Sequence, residues 1–155
     1  MKLEGARLVG YRTISIAGIR DSIMIEQIEE IIQKVKIKVD ELVKSNKFDY
    51  QLIFHTYGIN GVMRDLEPNK QPHPHELCLL IEAVSSNQKN SDVICSLARS
   101  TLLHFGYPNR VATAGNLAFP FSPSDIKAGP VYEFNIYHLI NIEDQKIFKM
   151  REVQL

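Results

Sequence analysis

The side chains best suited to chemistry in this sequence are cations, imidazoles and one amide that lie near the ends of predicted elements: Arg20, His104, Arg110, Asn116 and His138. Arg20 stands where a strand ends and a helix begins, and the free backbone N–H groups at the start of a helix attract anions. His104 and Arg110 flank the end of a second helix. We therefore predict a site that binds an anionic substrate or the backbone of a partner. Two alternatives are a solvated Arg20 and a core histidine at His138.

A loop at 113–125, with the sequence TAGNLAFPFSPSD, contains the amide of this predicted site. Proline fixes φ and glycine permits positive φ, so the loop can hold one shape and present the side chain of Asn116 together with backbone N–H groups. The alternative is an ordinary structured loop whose Phe119 and Phe121 fill the core.

Motifs for metal binding and covalent catalysis are weak. His73 and His75 in PHPHE lack a well-spaced third ligand, so we predict no metal site. Cys78 and Cys95 form no CxxC motif and lie in apolar segments, which predicts buried free thiols. Because GxSxG, HExxH and GxGxxG are also missing from the sequence, the residues assign no catalytic group and no cofactor, and they do not decide whether the chain is an enzyme.

Composition predicts one domain over residues 1–155, because a chain of this length with 45% hydrophobic residues can bury a continuous core. Eighteen basic residues balance eighteen acidic ones, so the chain lacks the positive charge that nucleic acid or an anionic membrane would attract. Its apolar runs are too short to cross a bilayer, and there is no signal-peptide pattern at the start. We predict a cytoplasmic protein without nucleic-acid or membrane partners.

Hydrophobic periodicity predicts the elements that position these residues. Alternation indicates strands at 8–17 and 50–57, and a continuous apolar run from Leu77 to Val84 indicates a central strand. Apolar residues at helical spacing, from Ile25 to Leu42, predict a first helix that begins after Asp21 or Ser22. A second stripe, from 93 to 105, predicts another helix.

A short strand at 110–114 and a long final strand at 131–142 complete the predicted order. The β-α-β-β-α-β order, with one added C-terminal strand, is typical of an α+β ferredoxin-like two-layer sandwich, in which two helices cover one face of a mainly antiparallel sheet. The residues predicted to lie between the helices and the sheet are Ile28, Ile32, Val35, Leu97, Ala98 and Leu102, opposite Leu79 and Ile81 of the central strand. The open second face, with Tyr137 and Leu139 uncovered, predicts a homo-oligomer.

Five sequence strings resemble the C-terminal part of acyclic terpene utilisation proteins of the AtuA type, and together they cover nearly the whole chain. They are GYRTISIAGIRD (10–21), YGINGVM (57–63), LLHFGYPNR (102–110), TAGNLAFPFSPSDI (113–126) and GPVYEFNIYHL (129–139). Members of that family are several times longer, with a large N-terminal region that this chain lacks.

The resemblance implies a role in the catabolism of isoprenoid or branched acids through acyl-CoA intermediates. It implies a subunit or domain that contributes to a binding site shared with a larger polypeptide, one that resembles the family's N-terminal region. Two other functions remain open. One is a self-contained small enzyme or ligand-binding module for an acyl-CoA or organic acid, and the other is a structural assembly domain.

Overall fold

The computed structural model describes residues 1–111 and 116–143. The element order confirms the predicted succession of strands and helices, with the first helix divided in two. The elements are β1 (Lys2–Ile19), α1 (Ser22–Glu26), α2 (Ile28–Val43), β2 (Tyr50–Tyr57), β3 (Leu77–Ser85), α3 (Gln88–Leu103) and β4 (Asp125–Leu139). Short 3-10 helices occupy Lys44–Asn46 and Arg64–Leu66.

The four strands form one sheet in the order β2-β3-β1-β4. Strand β3 is central and pairs antiparallel with β1 on one side, where Ser15 lies opposite Ile81, and with β2 on the other, where Phe54 lies opposite Ile81. Helix α3 packs on both α2 and β3. The predicted α+β class is therefore confirmed, as a two-layer sandwich with two helices on one face and a C-terminal strand added next to β1.

The first helix begins as predicted at Asp21, whose carboxylate accepts a hydrogen bond from the N–H of Ile23 at 2.9 Å. The helix is interrupted at Gln27, which ends α1 and precedes α2. Near its other end the predicted stripe is wrong by one position, because Val43 is buried and Leu42 is half exposed.

The core lies between the helices and the covered face of the sheet. All the residues predicted to lie there belong to it: Ile28, Ile32, Val35, Leu79, Ile81, Ala98 and Leu102 are buried, and Leu97 packs against them partly buried. The covered face of β1 is unusual, because Thr13 and Ser15 are buried polar residues. The hydroxyl of Thr13 donates to Asp92 Oδ1 of α3 at 2.6 Å, so its burial leaves no unpaired donor.

The chain divides into two compact units. One extends over Gly10–Val131 and contains both long helices, and the other combines Met1–Val9 with the stretch that begins at Tyr132. Within the second unit the two chain segments pair as antiparallel strands, since the N–H of Ile140 donates to the carbonyl of Met1 at 2.8 Å. The prediction of a single domain over 1–155 stays a prediction. The strand predicted at 110–114 falls mainly on residues outside the described ranges.

No helix in residues 1–111 or 116–143 is both long and apolar enough to cross a membrane.

Candidate functional site

A cleft of about 680 Å³ lies where β1 and β2 end and β3 begins. Its apolar walls include Ile19, Leu77, Leu117 and Ala118, and its polar groups include Arg20, Asp21, Glu76 and Asn116. Tyr57 and Cys78 complete the side-chain lining on the sheet side. Volumes of 300–1,000 Å³ are usual for small-molecule sites, so the cleft has the dimensions of a ligand pocket.

Two backbone hydrogen bonds attach the loop that contains Asn116 to the sheet. The N–H of Gly18 donates to the carbonyl of Ala118 at 2.7 Å, and the N–H of Ala118 donates back to Gly18 at 2.9 Å. This pair of hydrogen bonds joins the loop to the last residues of β1, just before α1 begins. Asn116, two residues earlier in the loop, is thereby held beside the start of the helix.

Asp21 is the centre of a hydrogen-bonded cluster beside the cleft. Its Oδ2 accepts from the hydroxyl of Tyr107 at 2.6 Å and from the amide Nδ2 of Asn116 at 3.1 Å. Asn116 also contacts the Tyr107 hydroxyl directly. The Asp21 carboxylate therefore caps α1 and also holds the loop that contains Asn116.

The hydrogen bonds of this cluster affect the ionisation of Asp21 and Tyr107. The hydrogen bond from Tyr107 lowers the pKa of Asp21 below its ordinary value, against the opposing effect of burial. Burial, followed by the hydrogen bond to Asp21, raises the pKa of Tyr107 to about 12. Near neutral pH, Asp21 is thus an ionised acceptor and Tyr107 a neutral donor.

Four of the five predicted site residues lie in or around this cluster. Arg20 and Asn116 line the cleft itself, and the guanidinium of Arg110 lies over the Tyr107 ring at 5.9 Å. Arg110 also donates to the carbonyl of His104 at 3.1 Å, which connects His104, the C-cap of α3, to the same region. Within the part of the chain that the structure describes, Arg20 forms no ion pair and no hydrogen bond.

The fifth residue, His138, belongs to the other unit, in β4, where its side chain is exposed. Its membership of the site stays a prediction.

Sequence reasoning missed Tyr107 as the link between Asp21 and Asn116. The signal that was available is its place in the string LLHFGYPNR between two predicted site residues, His104 and Arg110. A hydroxyl buried next to a helix cap usually needs a partner, which would have pointed to Asp21.

The predicted burial of both thiols is half wrong, since Cys95 is buried but Cys78 is exposed and lines the cleft. Cys78 points away from the helices, on the face of β3 opposite to Leu79, and a continuous apolar run conceals this alternation. Burial raises the pKa of Cys95 to about 12, so that thiol stays protonated. In the described ranges, no group of three His, Cys, Asp or Glu side chains is arranged to hold a metal ion.

Comparison of the chain with protein-family models, with curated protein sequences and with solved structures yields no match in any of the three.

Proposed function

We propose that the chain is a ligand-binding subunit or domain of an AtuA-like protein, acting in the catabolism of isoprenoid or branched acids and contributing to a site shared with a larger polypeptide. The observation that supports this function most strongly is Arg20, an exposed cation in the wall of a ligand-sized cleft, which has no partner among the described residues. An unpaired guanidinium in such a cleft is suited to a carboxylate, which it can hold by two parallel hydrogen bonds.

The remaining lining favours a branched acid with one further polar group. Leu77, Leu117 and Ala118 offer apolar contact to branched carbon atoms. Glu76 offers an acceptor for a hydroxyl or amide N–H of the ligand. The Asp21 carboxylate repels an anionic ligand less than a carboxylate without hydrogen-bond donors would, because it already accepts hydrogen bonds from Tyr107 and Asn116.

Replacement of Arg20 by glutamine should weaken the binding of isovalerate, a branched carboxylate, by about tenfold or more, because a charge-assisted hydrogen bond contributes about 1.5–3 kcal/mol. Isothermal titration calorimetry or ligand-observed NMR would measure the affinity. Arg7→Gln is the matched control, since it removes the same side chain from an exposed pair with Glu133. Equal affinity in wild type and Arg20→Gln, or no binding by the wild type at millimolar isovalerate, would contradict the proposal.

The shared-site and self-contained alternatives differ in what the isolated chain does. If the site is shared, addition of a polypeptide resembling the N-terminal region of AtuA-like proteins raises the affinity for the acid. If the module is self-contained, the affinity of the isolated chain does not change on that addition.

A second candidate, homo-oligomeric assembly, is favoured by the apolar surface of the unit that contains the end of β4. Tyr132, Phe134, Tyr137 and Leu139 are between 61% and 81% exposed there. A two-stranded ribbon is marginally stable alone, and exposed aromatic and aliphatic side chains at this density are typical of association surfaces. We propose that a second copy of the chain covers these residues.

Light scattering at tens of micromolar should therefore show a dimer or larger assembly, and Phe134→Lys should shift it towards monomer because a buried unpaired charge disfavours the interface. Ile37→Lys, at a residue of α2 that is 59% exposed, is the control. A monomeric wild type, or an assembly that Phe134→Lys leaves intact, would exclude this role for the surface.

A further inference from the structure

Strand β2 forms one edge of the sheet, because the strand order is β2-β3-β1-β4 and β2 has β3 as its neighbour on one side only. An edge strand presents a row of unpaired backbone N–H and C=O groups, to which another strand can pair. Proteins usually protect such an edge with lysine, proline or a bulge. The sequence of β2, YQLIFHTY, contains no lysine and no proline, and its register with β3 is continuous. This edge is therefore suited to pairing with a further strand.

The loop after β2 covers only the last part of the edge. There the carbonyl of Thr56 accepts hydrogen bonds from the N–H groups of residues 59–61. Next to it, a cavity of about 210 Å³ is lined by Phe54, from the sheet face that the helices cover, and by His55, from the opposite face. Residues of both faces can line one cavity only where it reaches around the edge of the strand. Within residues 1–111 and 116–143, the segment 50–54 has no backbone partner on this side.

The side chains of this segment that face the helices are apolar and incompletely covered. Tyr50, Leu52 and Phe54 alternate along β2 and pack against the core, but each is only partly buried. A strand added along the edge would cover part of their remaining surface and contribute facing side chains of its own. Burial of apolar area would then add to the backbone hydrogen bonds.

Two opposite charges lie beside the same segment, one helical turn apart on α2. The ammonium of Lys36 lies 5.8 Å from the centre of the Phe54 ring, and the carboxylate of Asp40 contacts the hydroxyl of Tyr50. Neither charge forms an ion pair in the part of the chain that the structure describes. Because the positive charge accompanies one end of the segment and the negative charge the other, an antiparallel copy of β2 would bring opposite charges together.

We propose that β2 pairs antiparallel with β2 of a second copy of this chain, about a two-fold axis at Leu52. In this register Tyr50 of one copy lies opposite Phe54 of the other. Lys36 of each copy is thereby placed beside Asp40 of the other, so the axis creates the same attractive pair twice. An identical strand fits this edge because β2 has no acidic residue, lysine or arginine that would meet its own equivalent across the axis.

The β2 interface differs from the apolar surface at the end of β4, and the two can be tested separately. Chains that use both surfaces form an assembly larger than a dimer. Phe134→Lys disrupts association through β4 and leaves the dimer that forms through β2. The experiments on β2 therefore use Phe134→Lys as their background, so that the failure of one interface is distinguishable from the failure of the other.

Analytical ultracentrifugation over a range of concentrations measures the dissociation constant of the β2 dimer. Lys36→Glu and Asp40→Lys should each raise this constant by about tenfold, because the two-fold axis turns two attractive pairs into two repulsive ones. The double variant, Lys36→Glu with Asp40→Lys, restores opposite charges across the axis and should recover most of the affinity. Lys38→Glu is the matched control, since Lys38 pairs with Glu41 at the surface of the same helix.

Amide hydrogen exchange locates the interface without any substitution in β2 or α2, so it stays decisive even if a charge variant folds poorly. In the monomer, alternate N–H groups of segment 50–54 point away from β3 and should exchange rapidly. In the dimer these groups are paired, so their exchange should slow as the protein concentration rises. The proposal is overturned if the Phe134→Lys chain stays monomeric at millimolar concentration, or if exchange in segment 50–54 does not depend on concentration. It is also overturned if the double variant dimerises as weakly as the single variants.

Discussion

Replacement of Ile81 by alanine should lower the free energy of unfolding by about 2–5 kcal/mol. Ile81 is fully buried in the central strand, between Ser15 of β1 and Phe54 of β2, and its side chain faces the helices. Strands paired on both sides prevent the backbone from collapsing into the cavity that alanine would leave. The cost therefore includes the lost hydrophobic transfer free energy and the cavity itself.

Urea denaturation at neutral pH would measure this loss. Ile37→Ala is the matched control, because Ile37 lies on the exposed side of α2 and its truncation should change the free energy of unfolding by less than about 0.5 kcal/mol. Equal unfolding midpoints for Ile81→Ala and Ile37→Ala would mean that the core is not where the structure places it.

The helices were predictable because their signal is local. A stripe of apolar residues at helical spacing requires one buried side, and an aspartate before it supplies a cap, so Asp21 and the buried positions Ile28 and Val35 followed from the sequence. The interruption at Gln27 was not predictable from this pattern. Leu42 and Val43 lie three and four residues after the buried Val39, so helical spacing alone does not decide which of them is buried.

The faces of β1 show why a strand is easier to predict than its orientation. Alternation predicted the strand, with Ile14 and Ile16 on one face and Thr13 and Ser15 on the other. The helices cover the polar pair, whose hydroxyls find partners in Asp92 and in the carbonyl of Ser124, and the apolar pair lies on the open face. Hydrogen bonds between residues far apart in the chain decided this arrangement, and no local pattern contains them.

The candidate site was predictable where it depended on strand ends and loop rigidity. Arg20 and Asn116 meet in one cleft because the loop is hydrogen-bonded through Ala118 to Gly18, the residue before the end of β1. The contacts of Glu82 with Arg12 and His55, on the sheet face that the helices leave open, could not be predicted in this way. Arg12, His55 and Glu82 come from three strands and become neighbours only through the register of the sheet, so each looked like an isolated charge in the sequence.

Replacement of Glu82 by glutamine should lower the free energy of unfolding by about 1–3 kcal/mol at pH 7, because the half-buried Arg12 and the more buried His55 lose the carboxylate that accepts their hydrogen bonds. This difference should shrink as the pH falls. The folded-state pKa of Glu82 lies below its ordinary value of 4.5, so the stabilisation is fully present above about that pH and is lost as the pH falls through the folded-state pKa.

Urea denaturation of wild type and Glu82→Gln at pH 7, and at several values below 4.5, would measure the pH dependence of this difference. The variant should still lose some stability in acid, because Asp21 and Asp92 also have lowered pKa values in the folded chain and contribute with the same sign. The slope of stability against pH should nevertheless be steeper for the wild type, since only the wild type must protonate Glu82. Parallel pH profiles would show that the Glu82 carboxylate contributes no charge-dependent stability. The ionised carboxylate would then not stabilise the folded chain through its hydrogen bond with His55.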